Sequence, residues 1–218
     1  MKKDNKNKDI VFTSILIIFL LLIMSKPYSN LVSDHAYLDG FIKFSVLATM
    51  GELLSDRISK RSWTKTNGLI WKIGIWGIFG SLVSLMFSVF SEGVIGAQKN
   101  GMLAANNRYL TAFLTSAIMN TTSGPVMMAL QRVCNTYIDL KYKQGKITFG
   151  EVVEVIDWVS FVKFEVSTTT PLIWIPANTL TFLMPERYRI LAAALLSMIL
   201  GLILSIGKKL MPQNSSSK

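Results

Sequence analysis

Residues 166–189 read VSTTTPLIWIPANTLTFLMPERYR, and how this stretch is read decides the fold. Its first 19 residues, 166–184, carry no charge. That is long enough to cross hydrocarbon as a helix. It is nevertheless a polar span, holding Thr168, Thr169, Thr170, Asn178, Thr179 and Thr181 and two internal prolines, Pro171 and Pro176. Each proline removes an N–H donor and strains the preceding turn. A lipid-facing segment cannot leave backbone groups unpaired. The stretch is therefore expected to face other helices or water, its hydroxyls and Asn178 serving the interrupted ladder. Thr and Pro are also simply tolerated in membrane helices, so polarity biases the reading toward function without proving it.

The rest of the chain shows the same blocked pattern. Of 218 residues half are hydrophobic, mean hydropathy is +0.41, and the apolar residues come in runs. This places the chain in the integral membrane class, all-α, as a polytopic helical bundle. Six spans are expected, over 10–24, 36–54, 68–90, 109–130, 166–184 and 190–206, or five if 166–184 is re-entrant. Residues 1–9 form a basic cytoplasmic tail and 207–218 a polar C-terminal tail. The run 10–24 also fits a signal peptide in length and flank, but no small-x-small cleavage site follows, so it reads as a retained helix. An amphipathic helix is expected near 151–164, where Val152, Val153, Val155, Ile156, Val159 and Phe161 alternate with Glu151, Glu154, Asp157 and Lys163.

A net charge of +10 raises the question of nucleic acid. The charges lie in short loops between apolar runs, so topology and attraction to anionic lipid are the simpler cause, and no nucleic-acid partner is expected. With six spans, 16 Lys and Arg fall on one side and six on the other. That bias puts both termini in the cytoplasm. Lys72 lies one turn inside its span, where it can snorkel.

Helix faces are legible in part. Gly74, Gly77 and Gly80 repeat at three and are followed by Ser81, Ser84 and Ser88, a face suited to close packing; Ala48, Gly51 and Ser55 make another. Such faces permit a homo-oligomer without demanding one. Glu52 and Asp56 are one turn apart. They read either as interfacial carboxylates or as a pair at the mouth of a solute path. In 109–130, Ser116, Asn120, Thr121, Thr122 and Ser123 surround Gly124 and Pro125, a second polar or broken span. An unpaired Asn120 at mid-membrane would cost several kcal/mol.

Enzyme signatures are absent: no HExxH, Gly-x-Ser-x-Gly, P-loop or GxGxxG occurs. The single cysteine, Cys134, and single histidine, His35, leave no basis for a disulfide, a metal site or a cofactor. The expectation is a non-enzymatic small-solute path lined by Asn120, Thr121, Ser123, Thr169, Thr170 and Asn178. Pro125, Pro171 and Pro176 would kink its helices and turn carbonyls toward it. The rival reading is a non-conducting scaffold in which the same groups clamp helices together. An intramembrane enzyme would need a carboxylate pair facing a cavity. Space between the two polar spans discriminates among these.

Trp174, Pro176, Asn178, Phe182, Pro185, Tyr188 and Arg189, followed by a last apolar helix, resemble the C-terminal signature of the Mpv-seventeen and peroxisomal membrane protein family. Gly51, Glu52, Leu53, Leu54 and Ser55 look like the step that closes that family's first span. Gly77, Ile78, Phe79 and Gly80 are similar to its glycine-rich second span, and Gly124 and Pro125 to its third. The likeness covers about 41–205. Ile175 separates Trp174 from Pro176, and 10–24 is an addition, so the resemblance implies a distant member in a prokaryotic cell membrane. It also implies channel-like passage of small solutes.

Overall fold

The computed structural model describes the backbone of residues 2–105 and 107–210 and the side chains of 5–105 and 107–199. Asn106 of the polar loop, the end of the C-terminal tail, and the side chains of Gly201, Lys208 and Lys209 lie outside the described residues. Among the described residues the chain is all-helical, with no strand.

The first helix, α1 (Lys2–Ile23), bends into α2 (Lys26–Val32) at Ser25, whose side chain accepts from the Tyr28 N–H. Next comes α3 (Ala36–Lys60), with Asp39 in its first turn and Arg57 and Lys60 in its last, each opposing the helix dipole. It stops at Arg61, which takes a left-handed conformation (φ 54°). The long α4 (Leu69–Lys99) has 31 residues, roughly 46 Å at 1.5 Å per residue. Asn107 caps α5 (Arg108–Thr122), its side chain accepting from the N–H groups of Tyr109 and Leu110 at 3.0 Å each. After Ser123 the chain restarts as α6 (Gly124–Gln144), with Pro125 in its first turn, where a missing N–H costs nothing.

A capping box of Thr148 and Glu151 opens α7 (Phe149–Val155). The chain then turns at Ile156, and Asp157 caps α8 (Trp158–Ser160). This corrects the expected amphipathic helix over 151–164. Two capping side chains, Thr148 and Asp157, divide the segment, and its second half belongs to the helix that carries the polar stretch instead. From α8 the helix runs on through a π-helical stretch (Phe161–Trp174) into α9 (Ile175–Leu183). In an α-helix Pro171 would clash with the carbonyl four residues back. The wider π turn avoids this, and the hydroxyls of Ser167, Thr168, Thr169 and Thr170 each donate to the carbonyl five residues earlier, at 2.9–3.1 Å. After Pro185, α10 (Glu186–Leu210) closes the fold.

Packing centres on α3, held between α4 and α10. Gly40 and Gly80 meet so closely that a Cβ on either would collide with the other's carbonyl oxygen. Gly77 fits against Phe41 and Ser45, but Gly74 has open space beside it, so the glycine repeat packs over two of its three members. Behind these contacts, Phe44, Leu47, Phe87, Met119, Phe182 and Ala194 form the buried core. Many large apolar side chains point outward instead, among them Ile18, Leu21, Ile70, Ile78, Leu172 and Leu180.

Among the described residues one helix, Leu69–Lys99, is long and apolar enough to cross a membrane. Asn5–Ile23 and Lys26–Val32, bent by 66°, meet the same criterion as a pair. Among the other expected spans, charges sit along α3, 109–130 breaks at Ser123, and 166–184 is divided between the π stretch and α9 and diluted by its threonines, Asn178 and two prolines; the expected span 190–206 runs past the described side chains.

Candidate functional site

A cavity of about 630 Å³ lies between α3, α4, α6, α10 and the long helix from 158 to 183. Its inner end is closed by polar groups that satisfy one another. Asn178 donates through Nδ2 to Asn120 Oδ1 (3.1 Å). Asn120 Nδ2 donates to the Ser116 carbonyl (2.8 Å), and Ser116 Oγ donates to the Ile175 carbonyl (2.7 Å). These bonds tie α5 to α9, and all three side chains are buried. Beside them the rings of Phe87 and Phe182 sit with centroids 4.8 Å apart.

The walls are apolar and soft, with Phe44, Phe79, Trp76, Met127 and Met128 among them. The other end is charged. Lys72 Nζ lies 2.6 Å from Glu52 Oε1 and 3.2 Å from Asp139 Oδ1, and Trp76 Nε1 donates to Glu52 Oε2 at 3.1 Å. Lys72 is 5 % exposed, so it is buried between two carboxylates rather than snorkelling. Arg132 pairs with Glu165 across the same end. The mouth lies here, because the Asp139 side chain is 51 % exposed whereas Asn120 and Asn178 are each 6 %.

Of the six expected lining residues, Asn120, Thr169 and Asn178 border the cavity. Thr121 is exposed and donates to the Ala117 carbonyl, Ser123 marks the break between helices, and Thr170, though buried, donates to the Glu165 carbonyl off the wall. Adjacent helical residues point about 100° apart, so a run of polar neighbours such as Asn120 to Ser123 or Thr168 to Thr170 cannot all face one lining. Pro125 stands in the first turn of α6, whereas Pro171 lies inside the π stretch and Pro176 just past its end, both within the continuous helix from 158 to 183.

The expected carboxylate pair separates in the same way. Glu52 faces the cavity, and Asp56 pairs with Lys60 (2.6 Å) along its own helix. Asp139 and Glu165 take the place of Asp56 at the mouth. A signal for Asp139 was present in the sequence, the stripe Gln131, Asn135, Asp139 at a spacing of four, a helical face; Glu165 had none.

The signature residues near the C-terminus mostly hold the structure together. Trp174 borders the cavity. Gly51 meets the backbone of Met198 on α10, leaving no room for a Cβ. Pro185 makes the corner between helices. Arg189 donates to the carbonyls of Met184 and Phe182, each at 3.2 Å, closing the end of α9, and Tyr188 stacks under Arg187. Among the described residues no group of His, Cys, Asp and Glu could hold a metal ion. The chain was compared with protein-family models, curated proteins and solved structures, and none matches.

Proposed function

We propose that the chain is a six-span helical bundle with both termini cytoplasmic, whose cavity is the closed state of a passage for small solutes. The observation that carries this reading is the cavity itself. It is reached from a charged mouth and stops at the Asn120–Asn178 contact. The distribution of side chains supports membrane burial. Apolar groups point outward from several helices, while Lys72, Thr115, Ser116, Asn120, Asn178 and Thr181 are buried inside. The mouth lies at the α3–α4 end, where Arg57, Lys60, Arg61 and Lys65 would meet anionic lipid of the cytoplasmic leaflet. The resemblance to the Mpv-seventeen family agrees with passage of solutes.

The test is solute-dependent swelling of liposomes holding the purified protein. Replacing Asn120 and Asn178 together by alanine removes the bar and raises glycerol entry above wild type; replacing both by leucine seals it. Entry at the rate of empty liposomes for wild type and alanine pair alike rejects the passage. A specific observation favours one second reading, a non-conducting scaffold: the bonds from Asn178 through Asn120 and Ser116 to Ile175 are complete as they stand. On that reading the leucine pair unfolds in detergent.

A further inference from the structure

The hydrogen bonds at the inner end of the cavity run in one direction. The Ser116 carbonyl can only accept, so Asn120 presents Nδ2 to it. That turns Asn120 Oδ1 toward Asn178, which answers with its own Nδ2 at 3.1 Å. Asn178 Oδ1 is left over, and among the described residues nothing donates to it. The polar side-chain atoms sealed without a partner, among the described residues, are Ser45 Oγ, Thr49 Oγ1, Thr66 Oγ1 and Asn135 Oδ1. Asn178 Oδ1 is not one of them. This unpartnered oxygen therefore keeps accessible surface although its residue is buried, and Asn178 borders the cavity. One turn earlier on the same helix face, Trp174 borders the cavity too, and its indole N–H has no acceptor among the described residues.

The complement of a bare amide oxygen is a hydrogen-bond donor. It must also be uncharged. The walls toward this end are Phe44, Val83, Met86, Phe87 and Met119, all apolar. The carboxylates lie at the mouth, already paired, with Glu52 roughly 12 Å from Phe44 along α3 at 1.5 Å per residue. An ammonium or a carboxylate brought here would lose its water and meet no free counter-charge. An ether or a ketone could take the Trp174 hydrogen but would leave Asn178 Oδ1 bare, and a buried acceptor left bare is costly. A hydroxyl serves both groups, giving one hydrogen and accepting another. Methionine walls adapt to varied apolar shapes, and a cavity of about 630 Å³ suits a small organic molecule. We propose that the inner part of the cavity binds an uncharged apolar alcohol. Its hydroxyl donates to Asn178 Oδ1 and accepts from the Trp174 indole, and its body lies against Phe44, Met86 and Met127. The inference names the solute class for the passage and rests on that reading only in taking the cavity to be open to solutes.

The experiment is equilibrium binding of radiolabelled 4-phenylbutan-1-ol to the purified full chain in lipid nanodiscs, with protein-free nanodiscs as baseline. Binding above that baseline is expected to be saturable. The unlabelled alcohol should displace it, and 4-phenylbutyrate and 4-phenylbutylammonium should not. Methyl 4-phenylbutyl ether should compete about tenfold less well, as befits a buried acceptor left without its donor. Asn178→Leu should erase the preference for alcohol over ether, a change in selectivity that altered packing alone would not produce. Trp174→Phe keeps an aromatic ring and removes the N–H that both compounds use, so it should weaken both. Binding no greater than the baseline, displacement by the ether or the ammonium as good as by the alcohol, a folded Asn178→Leu protein that still prefers the alcohol, or affinities unchanged by Trp174→Phe each overturns the proposal. The wild-type competitions decide the matter even if a variant fails to fold. Alcohol binding without glycerol entry into liposomes would reject the passage alone; glycerol entry without alcohol binding would reject this inference alone.

Discussion

Asn178 and Asn120 sit 58 residues apart in the chain and share one buried hydrogen bond, Nδ2 to Oδ1 at 3.1 Å. The bond joins the two most polar apolar runs of the sequence, and it stands where the cavity ends. Asn178→Leu strips the Asn120 Oδ1 of its donor. It is expected to cost about 1–2 kcal/mol, the penalty of a buried acceptor left bare. Adding Asn120→Leu should cost less than a second independent loss, because the orphaned acceptor goes with it. A double-mutant cycle by thermal unfolding in detergent checks this. Strict additivity would mean that the two amides do not depend on each other.

Lys72 is the buried cation of the mouth, and its removal leaves Glu52 and Asp139 facing each other. Lys72→Met is expected to destabilise the bundle by about 3 kcal/mol, the usual result of taking one partner from a buried ion pair. Glu52→Gln in that background should restore a large part, since it relieves the repulsion and keeps an acceptor for the Trp76 indole. The unfolding midpoints of the single and double variants decide the matter. A Lys72→Met protein as stable as wild type would show that the cation contributes nothing.

The polar threads were legible because Asn, Thr and Pro stand out against apolar runs. For 109–130 the sequence left a polar span and a broken one open; the break at Ser123 is the outcome, since Gly124 and Pro125 start a helix better than they continue one. What stayed hidden depends on which residues face each other across helices. Lys72 looked like a snorkelling end residue until Glu52 and Asp139, 20 residues before it and 67 after it, were brought to its side. Asp139 lies beyond the expected span and carried no membrane signal. The π-helical register around Pro171 shifts every face between Phe161 and Trp174 away from the 3.6-residue period, so Thr169 and Thr170 could not be sorted from sequence. Between Glu151 and Phe164 the alternation of apolar and charged residues was real, but short capping interactions overrode it.

The contact between Gly40 and Gly80 sets how near α3 and α4 can come. Gly80→Val is expected to push the helices apart and cost at least about 1–3 kcal/mol, the range for overpacking a close contact. Gly74, six residues earlier on α4, has nothing within 4 Å of the place a Cβ would occupy. Gly74→Ala should therefore stabilise the helix by roughly 0.5–1 kcal/mol through backbone entropy. Opposite shifts in thermal midpoint are the expected outcome. Equal effects at both positions would contradict the packing of α3 on α4.

The start of α7 carries a pH dependence with a definite sign. The Thr148 backbone N–H, and then its hydroxyl, donate to the Glu151 carboxylate and hold its pKa below the ordinary glutamate value. A carboxylate whose folded pKa is lowered stabilises the fold above its unfolded pKa, and that contribution is lost as pH falls through the folded value. Asp157, whose carboxylate accepts from Ser160, is lowered in the same direction and guards the next helix start. The segment from Thr148 to Ser160 should therefore loosen in mild acid, while the buried contact of Asn120 with Asn178, which does not titrate, holds. Amide hydrogen exchange, corrected for intrinsic rates, should rise at residues 148–152 as pH drops below the usual carboxylate range. Glu151→Gln should exchange faster at neutral pH and lose most of that pH response, leaving only the part due to Asp157. A pH response unchanged by the substitution would place the acid sensitivity elsewhere in the fold.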